Sequence, residues 1–144
     1  MRLKGKVAIV TGSGSGIGHA TVQLFAQEGA AVVIADWNEE AGSKTASAIR
    51  NAGQQALFFH TDVSKAVEVE ALVGNTIERL GKLDILVNNA AVQLMSQLTE
   101  TSEDVWDKIQ SVNLKGVFLG CKYAIPAMIQ GGGGSVINMA SVLG

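Results

Sequence analysis

An α/β fold built on a doubly wound parallel sheet is predicted by two features of this sequence. The first is alternation. Short apolar runs at Val7 to Val10, Ala31 to Ala35, Ala56 to Phe59, Leu83 to Val87 and Val136 to Met139 are separated by longer segments of helical period, and strands joined through helices lie parallel. The second is the stretch Thr11-Gly12-Ser13-Gly14-Ser15-Gly16-Ile17-Gly18, a glycine-rich turn between the first strand and the first helix. Such a turn lets the backbone approach an anion, and the first helical amides point at it, so a pyrophosphate can be held without a lysine.

The elements follow in order. The first helix is predicted to bury Ile17, Ala20, Leu24 and Phe25 on one face. The second starts near Asn38, with Glu39 and Glu40 suiting the positive end of the helix dipole, and stops at Gly53. The third carries Ala66, Val69, Val73, Ile77 and Leu80 at helical spacing and ends at Gly81. The fourth opens near Ser102 with Glu103 and Asp104, buries Val105, Ile109, Val112 and Leu119, and is expected to kink or end at Pro126. Gly131 to Gly134 reads as a mobile turn before the last strand.

A chain of 144 residues is expected to form one domain, spanning 1–144, with room for a real core. A net charge of −2 with scattered lysines and arginines argues against a nucleic-acid surface. The single cysteine, Cys121, permits no internal disulfide and suits a reducing compartment. No run is long enough to span a membrane, and Val7 to Val10 is too short for a signal-peptide core, so a soluble, cytoplasmic chain is expected. No metal site is expected, because neither His19 nor His60 has further ligands at metal spacing.

The glycine spacing narrows the ligand. No Gly-x-x-x-x-Gly-Lys-Ser/Thr is present, which sets aside a P-loop, and Gly-x-Gly-x-x-Gly fails because Ile17 stands where its third glycine belongs. A flexible linker would not sit between an apolar strand and an amphipathic helix. The pattern is Thr11-Gly12-x-x-x-Gly16-x-Gly18. It is followed in order by Asp36, Thr61-Asp62-Val63, Asn88-Asn89-Ala90-Ala91, Val112-Asn113-Leu114-Lys115-Gly116 and Ile137-Asn138-Met139-Ala140-Ser141. With these motifs the chain resembles the short-chain dehydrogenase/reductase family over essentially its whole length.

That resemblance implies a Rossmann-like sheet of five strands in the order 3-2-1-4-5, a nicotinamide cofactor and a small alcohol or carbonyl substrate. It assigns Gly12, Ser15, Gly16, Ile17 and Gly18 to the pyrophosphate turn. Asp36 closes the second strand, where a carboxylate can accept from the adenosine ribose hydroxyls; a 2′-phosphate would meet its like charge, and neither Ser15 nor Trp37 supplies a cation, which favours NAD. The residues alone also allow Asp36 as an N-cap for the next helix. By resemblance, Asp62 and the Val63 amide edge the adenine, although Asp62 could be only a helix-start residue. Asn89 and Ala90 match the family's Asn-Ala-Gly loop, with Ala91 replacing the glycine; turn chemistry alone also accounts for the asparagines. Asn113 matches an asparagine that opens its helix and holds a relay water, and Ser141 matches the serine that bonds the substrate oxygen. An asparagine on an exposed face and a serine in a turn are the plain alternatives.

In this family a Tyr-x-x-x-Lys pair transfers the proton, about a dozen residues after the matching serine. The sole tyrosine here, Tyr123, has Ala127 four places on, so the motif is absent from these residues. A chain truncated relative to the family is therefore expected: the amino-terminal part of an NAD-dependent oxidoreductase, inactive alone, and a homo-oligomer at full length. The alternatives are a non-catalytic NAD-binding module and a Rossmann methyltransferase, the latter leaving Asn113 and Ser141 unexplained.

Overall fold

The computed structural model describes residues 1–94 and 96–141. The strands are β1 (Val7–Thr11), β2 (Ala31–Asp36), β3 (Ala56–His60), β4 (Ile85–Asn88) and β5 (Ser135–Asn138); the helices are α1 (Gly16–Gln27), α2 (Glu39–Asn51), α3 (Ala66–Leu80), α4 (Glu103–Gln110) and α5 (Gly116–Gln130). All strand pairs are parallel, in the order β3-β2-β1-β4-β5. The expected strands are all present, with ends shifted by a residue or two, most at β4 and β5.

Period-two alternation splits the buried strands between two cores. Ala8, Val10, Val32 and Ile34 pack with Val22 and Ala26 of α1 and Ala46 and Ile49 of α2. Ile9, Val33, Ala35 and Leu86 face the other way, onto Leu72 and Val73 of α3 and Ala124 and Met128 of α5. Each face thus has its own helical cover, and burial on both sides is why the inner strands β1, β2 and β4 read as unbroken apolar runs, while the edge strands β3 and β5 are less buried. The chain winds outward from β1 to β3, then returns to place β4 on the other side of β1. The crevice beyond the carboxyl ends of β1 and β4 is the topological switch point, where ligands bind in open α/β sheets.

Three expectations are corrected. The face of α1 that packs inward is Gly18, Val22 and Ala26, with Phe25 partly buried, whereas Ile17, Ala20 and Leu24 are exposed. The helix lies so close to β1 that glycine and alanine fill its contact face, and the larger apolar side chains misled the reading. Pro126 does not end its helix, which runs on to Gln130; Pro126 and Lys122 are both exposed, so water can satisfy the carbonyl that the missing N–H releases. Val105, Ile109 and Val112 are only half-buried, and Val112 lies in a π-turn at Ser111–Lys115 rather than in a regular α-helix. No helix among the described residues is long and apolar enough to cross a membrane.

Candidate functional site

The parallel register brings one end of every strand to a common edge. Thr11 pairs with Ala35, Asp36 with His60, and Asn88 with Asn138. The residues following these positions therefore converge from segments distant in sequence. Between them lies a cavity of about 450 Å³ lined by Gly12, Asp36, Asp62, Val63 and Ala90, five of the expected cofactor residues, together with Trp37, His60 and Glu68.

The phosphate turn is built by packing and by a bare helix end. A Cβ on Gly12 would lie 2.7 Å from Ala90 Cα, and one on Gly18 would collide with the Gly12 carbonyl, so both glycines are fixed by the protein's own close approach. Gly12 and Gly16 both adopt left-handed φ, 64° and 55°, but the Cβ direction of Gly16 opens into free space. Helices α2 and α4 are capped by the side chains of Asn38 and Ser102 and carry acids in their first turns. Helix α1 has neither device. Ser15 makes no capping bond and no acid occupies the first turn, which leaves the amides of exposed Gly16 and Ile17 and buried Gly18 available to an external anion.

Asp36 is 7% exposed at the end of β2. It accepts from the Gly14 N–H (2.7 Å) and the Asn38 N–H (2.9 Å), while the helix cap is Asn38, whose Oδ1 accepts from the Ala41 N–H. The carboxylate is thus tied to the phosphate turn on one side and lines the cavity, rather than being used as an N-cap.

Asp62 is likewise no helix cap. Its Oδ1 accepts from the Ser64 N–H (2.9 Å) and hydroxyl (2.7 Å), and Lys65 occupies the cap position of α3. Burial opposes ionisation of Asp62, but the two Ser64 bonds, with Lys65 and His60 nearby, outweigh it and hold its pKa below the ordinary carboxylate value.

The loop after β4 is clasped to β1 by Thr11, whose importance the sequence reading missed. Its hydroxyl accepts from the N–H groups of Asn89 and Ala90, both at 3.0 Å, and Asn89 Nδ2 returns bonds to the carbonyls of Thr11 (2.9 Å) and Gly12 (3.1 Å). Only a hydroxyl ending the apolar strand hinted at this, since the partners lie 78 and 79 residues away.

Asn113 sits in the π-turn, a helix irregularity common at functional sites. Its side chain is committed at both ends: Oδ1 accepts from the Val92 N–H (2.8 Å) and Nδ2 donates to the Val92 carbonyl (2.9 Å). It ties the loop following β4 to the helix instead of pointing freely into solvent. Ser141, exposed, follows β5 on the same edge of the sheet. Tyr123 packs among core residues beside Leu119 and Met128 and is not part of the cavity wall. Among the described residues no group of three or more His, Cys, Asp or Glu could hold a metal ion.

Residues 6–144 match the short chain dehydrogenase family. The chain is 51% identical over 142 residues to a short chain dehydrogenase/reductase of Aspergillus oryzae, covering 96% of this chain and 54% of that protein. It is 40% identical over 144 residues to a meso-2,3-butanediol dehydrogenase of Serratia marcescens, covering all of this chain and 56% of that one. A crystal structure of a short-chain dehydrogenase/reductase from Burkholderia xenovorans superposes with a TM-score of 0.92 at 38% identity, over 96% of this chain and 57% of the other. The chain thus spans somewhat more than half the length of these relatives. Sheet order, glycine turn and the extent of these matches agree: the chain belongs to the short-chain dehydrogenase family.

Proposed function

We propose that residues 1–144 form the NAD-binding unit of an oxidoreductase that moves a hydride between nicotinamide and an alcohol or carbonyl carbon. The observation that carries the choice of NAD is Asp36. Its carboxylate is held by two backbone N–H groups and lines the cavity one strand away from the phosphate turn. A diol such as the unmodified adenosine ribose can donate to it, each bond to a charged acceptor being worth about 1.5–3 kcal/mol. A 2′-phosphate would face that charge instead.

The residues present fit such a cofactor. The uncapped start of α1, with Gly12, Ser15, Gly16, Ile17 and Gly18, would take the pyrophosphate; Asp36 the ribose; Asp62 and Val63 the base; Asn89 and Ala90 the nicotinamide side of the crevice. The cofactor supplies a hydride acceptor or donor. The chain supplies orientation and, on the substrate side, Ser141 as a hydrogen-bond partner for the reacting oxygen. Since the Asn113 side chain is spent on Val92, its part in proton relay falls to the backbone opened by the π-turn, which can hold a water through a carbonyl. In this reading the full-length protein is a soluble, cytoplasmic homo-oligomer.

A non-catalytic NAD-binding module is the second reading; Tyr123 packs in the core and has Ala127 four residues on, so it does not supply the family's proton-transfer pair. Hydride transfer by the chain, with and without an appended family carboxyl-terminal segment carrying Tyr-x-x-x-Lys, separates the two. Turnover only with the segment supports the oxidoreductase. No turnover in either form, with NAD still bound, supports the module.

A further inference from the structure

The phosphate turn is gripped at Gly14 from two sides. Its N–H donates to Asp36 Oδ2 at 2.7 Å, and its carbonyl accepts from Thr45 Oγ1 at 3.4 Å. Thr45 lies in the middle of α2 and is 2% exposed; its hydroxyl is also 3.0 Å from the Ala41 carbonyl and 2.9 Å from His19 Nδ1 on α1. A hydroxyl has a single hydrogen, and a carbonyl can only accept. The hydrogen of Thr45 is therefore shared between the Gly14 and Ala41 carbonyls, and His19 is assigned the tautomer whose Nδ1–H donates to Oγ1. One buried oxygen thus joins the first turns of α1, the middle of α2 and the turn that precedes α1. The fit around it is close. A Cβ on Gly14 would lie 3.0 Å from both Ala41 Cβ and Asp36 Oδ2, so turn, carboxylate and α2 are already in contact.

We propose that Thr45 is a positioning residue, oriented by His19: its hydroxyl keeps Gly14 seated against α2 and so keeps the Asp36 carboxylate in place for a ribose diol. This rests on the NAD reading above. Thr45 is not part of the wall of the cavity that Asp36 lines, and it acts only through Gly14. The plain alternative is a threonine that bonds back within its own helix, which the Ala41 contact by itself would be.

Calorimetric titration of NAD and NADP against the full chain separates the two roles, because a loosened Asp36 changes the ratio of the two affinities, whereas a packing role changes both alike or neither. Thr45→Val keeps the shape of the side chain and removes the hydroxyl. It is expected to narrow the preference for NAD by about threefold to tenfold, the worth of one net hydrogen bond. Thr45→Ser keeps the hydroxyl and is expected to restore the ratio. An unchanged ratio in T45V, an equal weakening of both ligands, or the same narrowing in T45S overturns the assignment. Should T45V fail to fold, the half-buried His19 decides. His19→Ala removes the donor and is expected to narrow the ratio, while His19→Asn offers an amide N–H in its place and is expected to keep it; an H19A chain with the original ratio overturns the assignment. An unmodified chain without preference for NAD overturns the reading of Asp36 and this assignment with it. A preference that no substitution at Thr45 or His19 moves overturns this assignment alone.

Discussion

Replacing Thr11 by valine keeps the shape of the side chain and removes its hydroxyl. Thr11 is 4% exposed, and its Oγ1 is the acceptor for two backbone N–H groups, those of Asn89 and Ala90. Valine leaves no cavity, so the loss is that of the hydrogen bonds alone. Each buried donor left without an acceptor costs about 1–3 kcal/mol. Both amides belong to half-buried residues, where water can repair part of the loss, which sets the expected destabilisation at about 2–4 kcal/mol in total. Thr11→Ser is the control: it keeps the acceptor and gives up one buried methyl, worth about 1 kcal/mol. Urea unfolding followed by circular dichroism measures both variants. T11V falling within about 0.5 kcal/mol of the unmodified chain, the range of an ordinary surface change, would refute the view that this hydroxyl clasps β1 to the loop after β4.

Gly42→Ala is expected to destabilise by about 1–3 kcal/mol, since its Cβ would collide with the Phe58 ring; a thermal melt measures it, and an unchanged midpoint would contradict the packing of α2 on β3. Asp84 loses solvation by burial, but bonds from the Val7 N–H, Lys82 and Lys6 outweigh this and lower its pKa. Because the folded pKa is the depressed one, its stabilisation is present above the ordinary carboxylate value and is lost as pH falls below about 3.8 through the folded value. Acid titration of stability should therefore be less steep for Asp84→Asn, and identical acid limbs would refute the bonding. Asn113→Ala removes both bonds to Val92, so the Val92 amide should exchange with solvent roughly threefold to tenfold faster, as expected for one net hydrogen bond; unchanged exchange would show that the loop is held by something else.

How much of this was legible beforehand depended on whether the signal was local. β1, β2 and β4 are buried nearly throughout and the edge strands β3 and β5 are apolar in sequence although half-buried or exposed, so all five could be placed within a residue or two. Caps are local too, and Asn38 and Ser102 stand where the acidic first turns pointed. The inner face of α1 was misread because its closest contact is Gly18, which carries no hydrophobic signal, while Ile17 and Leu24 do. Nothing in the spacing marks the π-turn; only the family likeness at Asn113 suggested an opened helix. Among the site residues, Asp36 could be read from its place at a strand end. The Thr11 clasp spans 78 and 79 residues, and the reach of Thr45 back to Gly14 depends on how α2 packs beside the turn. Those contacts exist only once the sheet has assembled.

The central claim is tested most directly by calorimetric titration of the unmodified chain with NAD and with NADP under identical conditions. Asp36 predicts that NAD binds more tightly by about tenfold to a hundredfold, the worth of one charge-assisted bond, and that Asp36→Ala narrows the gap. Equal affinities, or a preference for NADP, in the unmodified chain would contradict the account.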